Sequence, residues 1–245
     1  MLILFFNILN NIIYYIMAGK KRSGLANDRR AYGCGRCYTP TPCGVINIAS
    51  IATNDGANTY TLNGNYTITE CQILNIPVGT TLLITGGKTL TNSGTINNSG
   101  YFYNYSGGGT VNNSSTFNNS GYFYNYSGGC TVNNSSTFNN SGYLYNNTGG
   151  GGCTINNNTG GFIYTYGSGD IYNNIGGIIN NNAGGFIYTY GGGNIFNDGG
   201  ATINNNADGT ISTADGTSIC GTGTISGSGT FTGVIPTNTY CPLIL

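Results

Sequence analysis

The sequence has no histidine and no tryptophan, and only 6% of its 245 residues are charged. Soluble domains usually carry about 25% charged residues. Histidine is a common general base and the commonest metal ligand, so its absence argues against most hydrolytic and zinc-dependent active sites. The scarcity of charge also means that amide and hydroxyl groups must keep the protein in solution.

The few carboxylates are scattered along the chain. A glycan lyase or hydrolase needs clustered acids, or an acid with a nearby base, and the chain from Cys37 onward has Lys88 as its one basic residue. No Ser-His-Asp set, phosphate loop or dinucleotide fingerprint occurs. We therefore predict that the protein is not an enzyme and uses no cofactor and no calcium. The acidic residues after Cys37 are Asp55, Glu70, Asp170, Asp198, Asp208 and Asp215.

The formal net charge is zero, but the charges are unevenly distributed. Six of the seven basic residues lie between Lys20 and Arg36, together with Asp28, which gives this segment a charge of +5; six acids and Lys88 give the remainder −5. Such a basic segment contacts an acidic surface or is a solvated tail. Nothing in it specifies nucleic-acid binding.

The changes in composition divide the chain into five segments. Residues 1–16 are apolar, and three interpretations stay open: a secretory signal, a membrane anchor, or a segment upstream of a true start at Met17. Residues 17–44 form a basic, cysteine-containing head that we expect to be largely disordered. Residues 45–94 are expected to be an N-terminal cap with the first coils, residues 95–235 the repeat region, and residues 236–245 a C-terminal cap or tail.

The central part of the chain is an internal repeat. The phrase TVNNSSTFNNSGYFYNYSGGC begins at Thr110 and returns, slightly altered, at Thr131, Thr154 and Ile178, with a period of 21, then 23, then 24 residues. Each period contains three shorter units, and each unit has one large apolar residue followed by a turn rich in Asn, Gly and Ser. Repeats of this length are typical of solenoids, and three short strands per period predict a three-sided coil.

The composition narrows the fold class further. Gly, Asn, Thr and Tyr disfavour helix and no 3.6-residue periodicity is present, which excludes a helical solenoid. A propeller blade needs about 40 residues, and collagen needs glycine at every third position. The sequence thus predicts an all-β protein, a single-stranded parallel β-helix (β-solenoid) with three short strands per coil of about 21–24 residues.

An aromatic motif occurs five times in the repeat region. Side chains alternate between the two faces of a strand, so Phe102 is predicted to point into the coil while its neighbours point outward. Exposed aromatic area often marks a contact surface, whereas stacked tyrosines can also simply stabilise neighbouring strands. The tyrosines predicted to form the exposed aromatic face are Tyr101, Tyr103, Tyr105, Tyr122, Tyr124, Tyr126, Tyr143, Tyr145, Tyr164, Tyr166, Tyr188 and Tyr190.

The sequence leaves open which side of the coil the last two aromatic motifs occupy. If all five motifs align, they share one side of the solenoid. If instead the turn before Ile155 aligns with the turn before Val132, as the common sequence Gly-Gly-Cys-Thr indicates, the last two motifs lie on the neighbouring side.

The cysteines permit several arrangements. Cys34, Cys37 and Cys43, with Cys71 as a fourth ligand, are a weak candidate zinc site, and disulfides or thiols are the preferred alternative because a second Cys-x2-Cys pair is missing. Cys130 and Cys153 occupy equivalent places in consecutive coils. Stacked strands hold such residues about 4.8 Å apart, so we predict that they are neighbours and can form a disulfide.

The segment that leads into the repeat carries a resemblance. The pattern Ile-Pro-x-Gly-x-Thr-Leu-x-Ile at residues 76–84, followed by Gly-x-Thr-Leu-x-Asn-x-Gly-x-Ile at residues 87–96, resembles the first coils of parallel β-helix surface proteins, including bacterial adhesins and Asn-rich repeat proteins of giant amoeba viruses. The resemblance implies a structural fibre or outer-layer component of a virion or cell surface that associates with itself or with other surface-layer proteins. The alternative is an adhesin that binds glycans through the tyrosine face.

Overall fold

A computed structural model describes residues 43–147, 152–214 and 217–233. The apolar start, the basic head up to residue 42 and the tail from residue 234 lie outside the described residues, so the predictions for them stay predictions. Within the described ranges the chain is built from short strands and one 3-10 helix, Ile48–Ser50.

The strands are two to five residues long and follow one another at short turns. In chain order they are β1 (Gly44–Ile46), β2 (Ala52–Gly56), β3 (Thr59–Leu62), β4 (Tyr66–Ile68), β5 (Gln72–Ile76), β6 (Thr81–Ile84), β7 (Thr89–Asn92), β8 (Thr95–Asn98), β9 (Tyr101–Tyr105), β10 (Thr110–Asn113), β11 (Thr116–Asn119), β12 (Tyr122–Tyr126), β13 (Thr131–Asn134), β14 (Thr137–Asn140), β15 (Tyr143–Asn147), β16 (Thr154–Asn157), β17 (Phe162–Tyr166), β18 (Asp170–Asn173), β19 (Ile178–Asn181), β20 (Phe186–Tyr190), β21 (Ile195–Asn197), β22 (Thr202–Asn205), β23 (Thr210–Thr213), β24 (Ile219–Cys220), β25 (Thr224–Ser226) and β26 (Thr230–Thr232).

These strands form three sheets that run along the solenoid. Sheet 1 has the order β1-β5-β8-β11-β14-β17-β20-β23-β26, sheet 2 has β2-β3-β6-β9-β12-β15-β18-β21-β24, and sheet 3 has β4-β7-β10-β13-β16-β19-β22-β25. Every pairing is parallel except that of β2 with β3, which is an antiparallel hairpin at the N-terminal end. The predicted β-solenoid with three strands per coil is confirmed.

Large apolar side chains fill the interior, one column for each sheet. Phe102 and Phe123 stack with their ring centroids 4.8 Å apart, and Phe117 stacks on Phe138 at 4.7 Å. Phenyl rings from sheets 1 and 2 meet edge to face, with Phe102 and Phe117 separated by 5.3 Å. All four rings are buried. The core is therefore a continuous aromatic and aliphatic column, as the alternation in the sequence predicts.

A second inward column in each sheet contains asparagine; in sheet 1 it continues as Thr165, Thr189 and Thr213 after Asn140. Each asparagine amide donates to the side-chain oxygen of the next asparagine in its column at 2.7–2.9 Å, as Asn98 does to Asn119, and most also donate to a backbone carbonyl at the corner. The last amide of a column, such as that of Asn140, donates to a backbone carbonyl alone. We call these columns the inner asparagine ladders. Their members are Asn92, Asn113, Asn134, Asn157, Asn181 and Asn205 in sheet 3, Asn98, Asn119 and Asn140 in sheet 1, and Asn104, Asn125, Asn146, Asn173 and Asn197 in sheet 2.

The direction of the ladders explains two buried oxygens that lack a hydrogen bond. The side-chain oxygens of Asn98 and Asn104 have no donor. Both residues stand at the first rung, where the preceding coil contributes Ile76 and Ile84 instead of asparagine. A hydrocarbon side chain cannot donate, so the ladders of sheets 1 and 2 begin with an unsatisfied carbonyl, whereas the first oxygen of sheet 3, that of Asn92, accepts from the backbone N–H of Gly94 at 3.2 Å.

Asparagine can also occupy left-handed turn positions, but it seldom does so in this solenoid. Among the described asparagines only Asn58 has a positive φ, and glycines supply most such positions. The reason is that the buried amide satisfies both its own hydrogen bonds and the backbone carbonyls at the corner, where water has no access.

Candidate functional site

The first three aromatic motifs lie on sheet 2 in exact register along the solenoid axis. Tyr101 pairs with Tyr122, and Tyr122 with Tyr143, so like residues stand one above another. We call the outward aromatic residues of this sheet the tyrosine ladder. Its members are Tyr101, Tyr103, Tyr105, Tyr122, Tyr124, Tyr126, Tyr143, Tyr145, Tyr172 and Phe196.

The rings of the tyrosine ladder cover one another. Tyr103 and Tyr124 stack with centroids 4.5 Å apart and an interplanar angle of 7°, and Tyr145 continues the stack at 4.8 Å. Because stacking runs along the solenoid axis, the ring faces point at neighbouring coils. The ladder therefore presents ring edges and hydroxyl groups to solvent and keeps its faces for contacts between coils.

Packing in the ladder changes the acidity of its phenols. Burial raises the pKa of Tyr124 to about 12, and the neighbouring Tyr103 and Tyr145 add to the rise. Burial also raises the pKa values of Tyr103 and Tyr145. For Tyr172 burial is again the main cause, and the adjacent Asp170 carboxylate adds to the increase. The phenols of Tyr103, Tyr124, Tyr145 and Tyr172 are therefore neutral at physiological pH.

Tyr172 and Phe196 belong to the ladder but are missing from the predicted set. Tyr172 stacks on Tyr145 at 4.8 Å and Phe196 on Tyr172 at 4.7 Å. The signal is present in the sequence, because Asp-Ile-Tyr-Asn at residues 170–173 aligns with Tyr-Leu-Tyr-Asn at residues 143–146. In β18 the aspartate Asp170 stands where the aromatic motif has its first tyrosine, so the alignment with the motif is difficult to recognise in the sequence.

The last two aromatic motifs lie on sheet 1, which decides between the two alignments. Ile155 pairs with Val132 in sheet 3, so β17 follows as a strand of sheet 1 and pairs with β14. The alignment through the common Gly-Gly-Cys-Thr turn is therefore correct. We call this second surface the aromatic patch; its members are Phe162, Tyr164, Tyr166, Phe186, Tyr188 and Tyr190.

The rings of the aromatic patch are arranged differently from those of the ladder. Tyr164 and Tyr188 meet edge to face at 85° with centroids 6.4 Å apart, and Phe162 and Phe186 are tilted by 52° at 6.1 Å. Phe162 is 38% exposed and Tyr190 is 42% exposed. Within each strand, Phe162 lies parallel to Tyr164 at 5.8 Å and Tyr188 stacks on Tyr190 at 5.4 Å. The patch therefore differs from the tyrosine ladder in that two of its three columns lack a parallel stack along the axis.

Cys130 and Cys153 lie side by side in consecutive coils and are buried thiols in the structure. Their hydrogen bond, together with burial, raises the pKa of Cys130, and the same hydrogen bond lowers that of Cys153. The Cys130 thiol also donates to the carbonyl of Ser127 at 3.1 Å. Formation of a disulfide between the two stays a prediction for an oxidising compartment.

The candidate zinc site is not supported. Cys43 and Cys71 form a disulfide, with their Cα atoms 4.9 Å apart, which removes two of the four proposed thiolate ligands. The bond joins the residue before β1 to the turn before β5, and β1 pairs with β5 in sheet 1. It therefore closes the N-terminal end of the solenoid. Cys34 and Cys37 lie outside the described residues.

Asp170, Asp55 and Asp198 make local structural contacts. The Asp170 carboxylate accepts hydrogen bonds from the backbone N–H of Asn194 at 2.9 Å and from the Tyr172 hydroxyl at 3.3 Å. Asp55 accepts from the Thr61 hydroxyl at 2.6 Å. The Lys88 ammonium donates to the carbonyl of Leu62 at 2.6 Å. No group of three or more potential metal ligands occurs among the described residues.

Comparison of the chain with protein-family models, with curated proteins and with solved structures finds no match. In the part of the chain that the structure describes, no helix has the length and apolar character needed to span a membrane. The features that bear on function are the two aromatic surfaces and the solenoid that carries them.

Proposed function

We propose that the protein is a non-enzymatic structural component, a rigid rod in the outer layer of a virion or cell surface. The observation that carries the proposal is the inner asparagine ladder of sheet 3, whose register is unbroken. In sheet 3 this register runs from Asn92 to Asn205 with donor–acceptor distances of 2.7–2.9 Å.

Such ladders favour a stiff rod. Each coil contributes parallel backbone pairing on three sides and buried amide bonds at the corners, and buried amides that lose their partners cost about 1–3 kcal/mol each. Bending the rod would open these bonds on one side. Nine stacked strands at the usual spacing give a rod about 40 Å long.

The outer surface also fits a packed layer. Outward positions of sheet 3 repeat Thr and Asn, and the outer amides bond along the axis, as Asn133 does to Asn112 at 2.9 Å. An uncharged surface lets neighbouring molecules approach without electrostatic repulsion. We propose as partners further copies of the chain or other surface-layer proteins, with the basic head of residues 17–44 as the segment that contacts an acidic surface.

The alternative from the sequence analysis is a glycan-binding adhesin that uses the tyrosine face. Stacking of Tyr103, Tyr124 and Tyr145 leaves this ladder without free ring faces, so sugar stacking receives little support on sheet 2. The ladder contributes instead to cohesion between coils, since aromatic pairs contribute about 0.5–1.5 kcal/mol beyond burial.

The location of the protein in particles, surface fractions or medium tests the proposed function. Purified particles, cell-surface fractions and the soluble medium are analysed by quantitative mass spectrometry, and the most N-terminal peptide is identified in each. We expect the protein in particles or surface fractions at amounts comparable to those of known layer proteins. Recovery only as a free soluble protein, cleaved after the apolar start, would contradict the structural role.

A further inference from the structure

The outward columns of sheet 1 change character for two coils. Along one column the residues are Thr116, Thr137, Phe162, Phe186 and Thr210, so two phenylalanines interrupt a line of threonines. The solenoid does not need this change, because the coils before and after the patch form with Thr and Asn at the same positions. The aromatic residues therefore call for an explanation other than folding.

The adjacent column shows the same interruption. Asn139 precedes Tyr164 and Tyr188, and Ser212 follows them. Amide and hydroxyl groups thus border the aromatic patch at both ends along the axis. The patch has three outward positions on each of two neighbouring strands. It is therefore about 13 Å long in the strand direction, and its two strands are one strand spacing apart along the solenoid axis.

The patch combines exposed aromatic rings with neutral hydrogen-bonding groups. Outward residues of sheet 1 from β8 to β26 are Thr, Asn, Ser, Phe and Tyr, so this face of the described solenoid carries no charged side chain. An acidic ligand would find no counter-charge there, and the exposed Asp208 lies in the turn before β23, outside these strands. A neutral sugar ring has one apolar C–H face and a rim of hydroxyl groups, which matches an aromatic platform bordered by amides and hydroxyls.

We propose that the aromatic patch binds a neutral glycan built from hexose or N-acetylhexosamine units. The sugar ring packs on the aromatic surface that Phe162, Tyr164, Phe186 and Tyr188 form together, of which Phe162 is exposed. Asn139 and Ser212 are placed to hydrogen-bond the sugar hydroxyls. This activity adds to the proposed structural role and does not depend on it, because the patch occupies only two coils.

The test uses the full chain on a printed array of neutral hexose and N-acetylhexosamine glycans, with sulfated and sialylated glycans as the acidic set. The patch variant carries Phe162→Thr, Tyr164→Asn, Phe186→Thr and Tyr188→Asn, which restores the pattern of the neighbouring coils and is therefore expected to fold. A second variant, Tyr164→Phe with Tyr188→Phe, keeps the rings. The control variant, Tyr101→Ser with Tyr103→Ser, changes only the ladder.

We expect the wild-type chain to bind neutral glycans, the patch variant to lose at least tenfold in affinity, and the phenylalanine and ladder variants to keep most of the binding. Circular dichroism confirms that each variant is folded. Binding to no neutral glycan, binding to acidic glycans alone, or equal loss in the ladder variant would overturn the proposal. A concentration-dependent dimer that the patch variant abolishes, without glycan binding, would assign the patch to self-association instead.

Discussion

At the residue scale, each strand position has a distinct role. In β12, Phe123 and Asn125 are fully buried, whereas Tyr124 between them is half-buried and stacked on its neighbours in the adjacent coils. One substitution in this strand can therefore test the core, and the next can test the surface.

Replacing Phe123 with aspartate should unfold several coils, because an unpaired charge inside a coil costs several kcal/mol. The matched change Tyr124→Ser should keep the fold and lower the free energy of unfolding by about 1–3 kcal/mol, since two stacked pairs are lost. Urea unfolding followed by circular dichroism measures both. Equal effects of the two variants would show that the inward and outward assignment is wrong.

A second prediction at this scale concerns alkaline pH. The pKa of Tyr124 is raised to about 12 in the folded protein, above the ordinary value of 10.0. Below pH 10 the phenol is neutral in both states and its contribution to stability is complete. As the pH rises from about 10 to about 12, the unfolded chain ionises first, so the free energy of unfolding falls.

Thermal unfolding at several pH values measures this loss. The Tyr124→Phe variant serves as its control, because it keeps the stacked ring and removes one ionisable hydroxyl. We expect a smaller fall in the Tm of this variant between pH 10 and pH 12 than in that of the wild type. Identical pH dependence in the two proteins would argue against a raised pKa at this position.

At the scale of the strand, two asparagines of β11 have different environments. Asn119 is buried, accepts from Asn98 and donates to Asn140, both at 2.7 Å. Asn118, on the outer face of the same strand, donates to Asn97 at 2.9 Å and accepts from Asn139 at 2.8 Å. The hydrogen bonds are similar, and access to water is the main difference.

Asn119→Ala should cost more stability than Asn118→Ala. The inner change leaves the amides of Asn98 and Asn140 with lost partners, at about 1–3 kcal/mol for each unsatisfied group, whereas water replaces the outer partner. Chemical denaturation of the two variants gives the comparison. If both lose the same free energy of unfolding, the inner ladders do not have the stabilising role assigned to them.

At the scale of the whole molecule, the coil is the unit that can be removed. Residues 110–130 form one complete 21-residue period, and Thr110 pairs with both Thr89 and Thr131. Nearest-neighbour contacts dominate the stability of such arrays. Deletion of the whole coil places Thr131 against Thr89 and keeps every ladder in register.

Deletion of residues 110–130 should therefore give a folded protein that is shorter by about 4.8 Å, one strand spacing. Deletion of residues 110–119 removes about half a coil and places strands of one sheet against those of another, so it should disrupt the fold. Small-angle scattering measures the length, and circular dichroism measures the strand content. A folded, stable half-coil deletion would be incompatible with the three-sided register.

The sequence by itself determined the solenoid, its period and the inward position of residues such as Phe102 and Phe123. These follow from local properties: the two-residue alternation of a strand and the turn chemistry that recurs every coil. The equivalence of Cys130 and Cys153 follows from the same periodicity. A regular repeat therefore allows the fold to be predicted from the sequence alone.

Only the tertiary structure decided which sheet carries each aromatic motif and how its rings are turned. The position of β17 depends on the summed lengths of all preceding turns. A few extra glycines in those turns move a strand from one side of the coil to the next. The orientation of Tyr164 depends on Tyr188 and Asn139 in the adjacent coils, which are 24 and 25 residues away in the chain. Ring orientation is set by packing between coils, and for this reason the sequence pattern does not separate the tyrosine ladder from the aromatic patch.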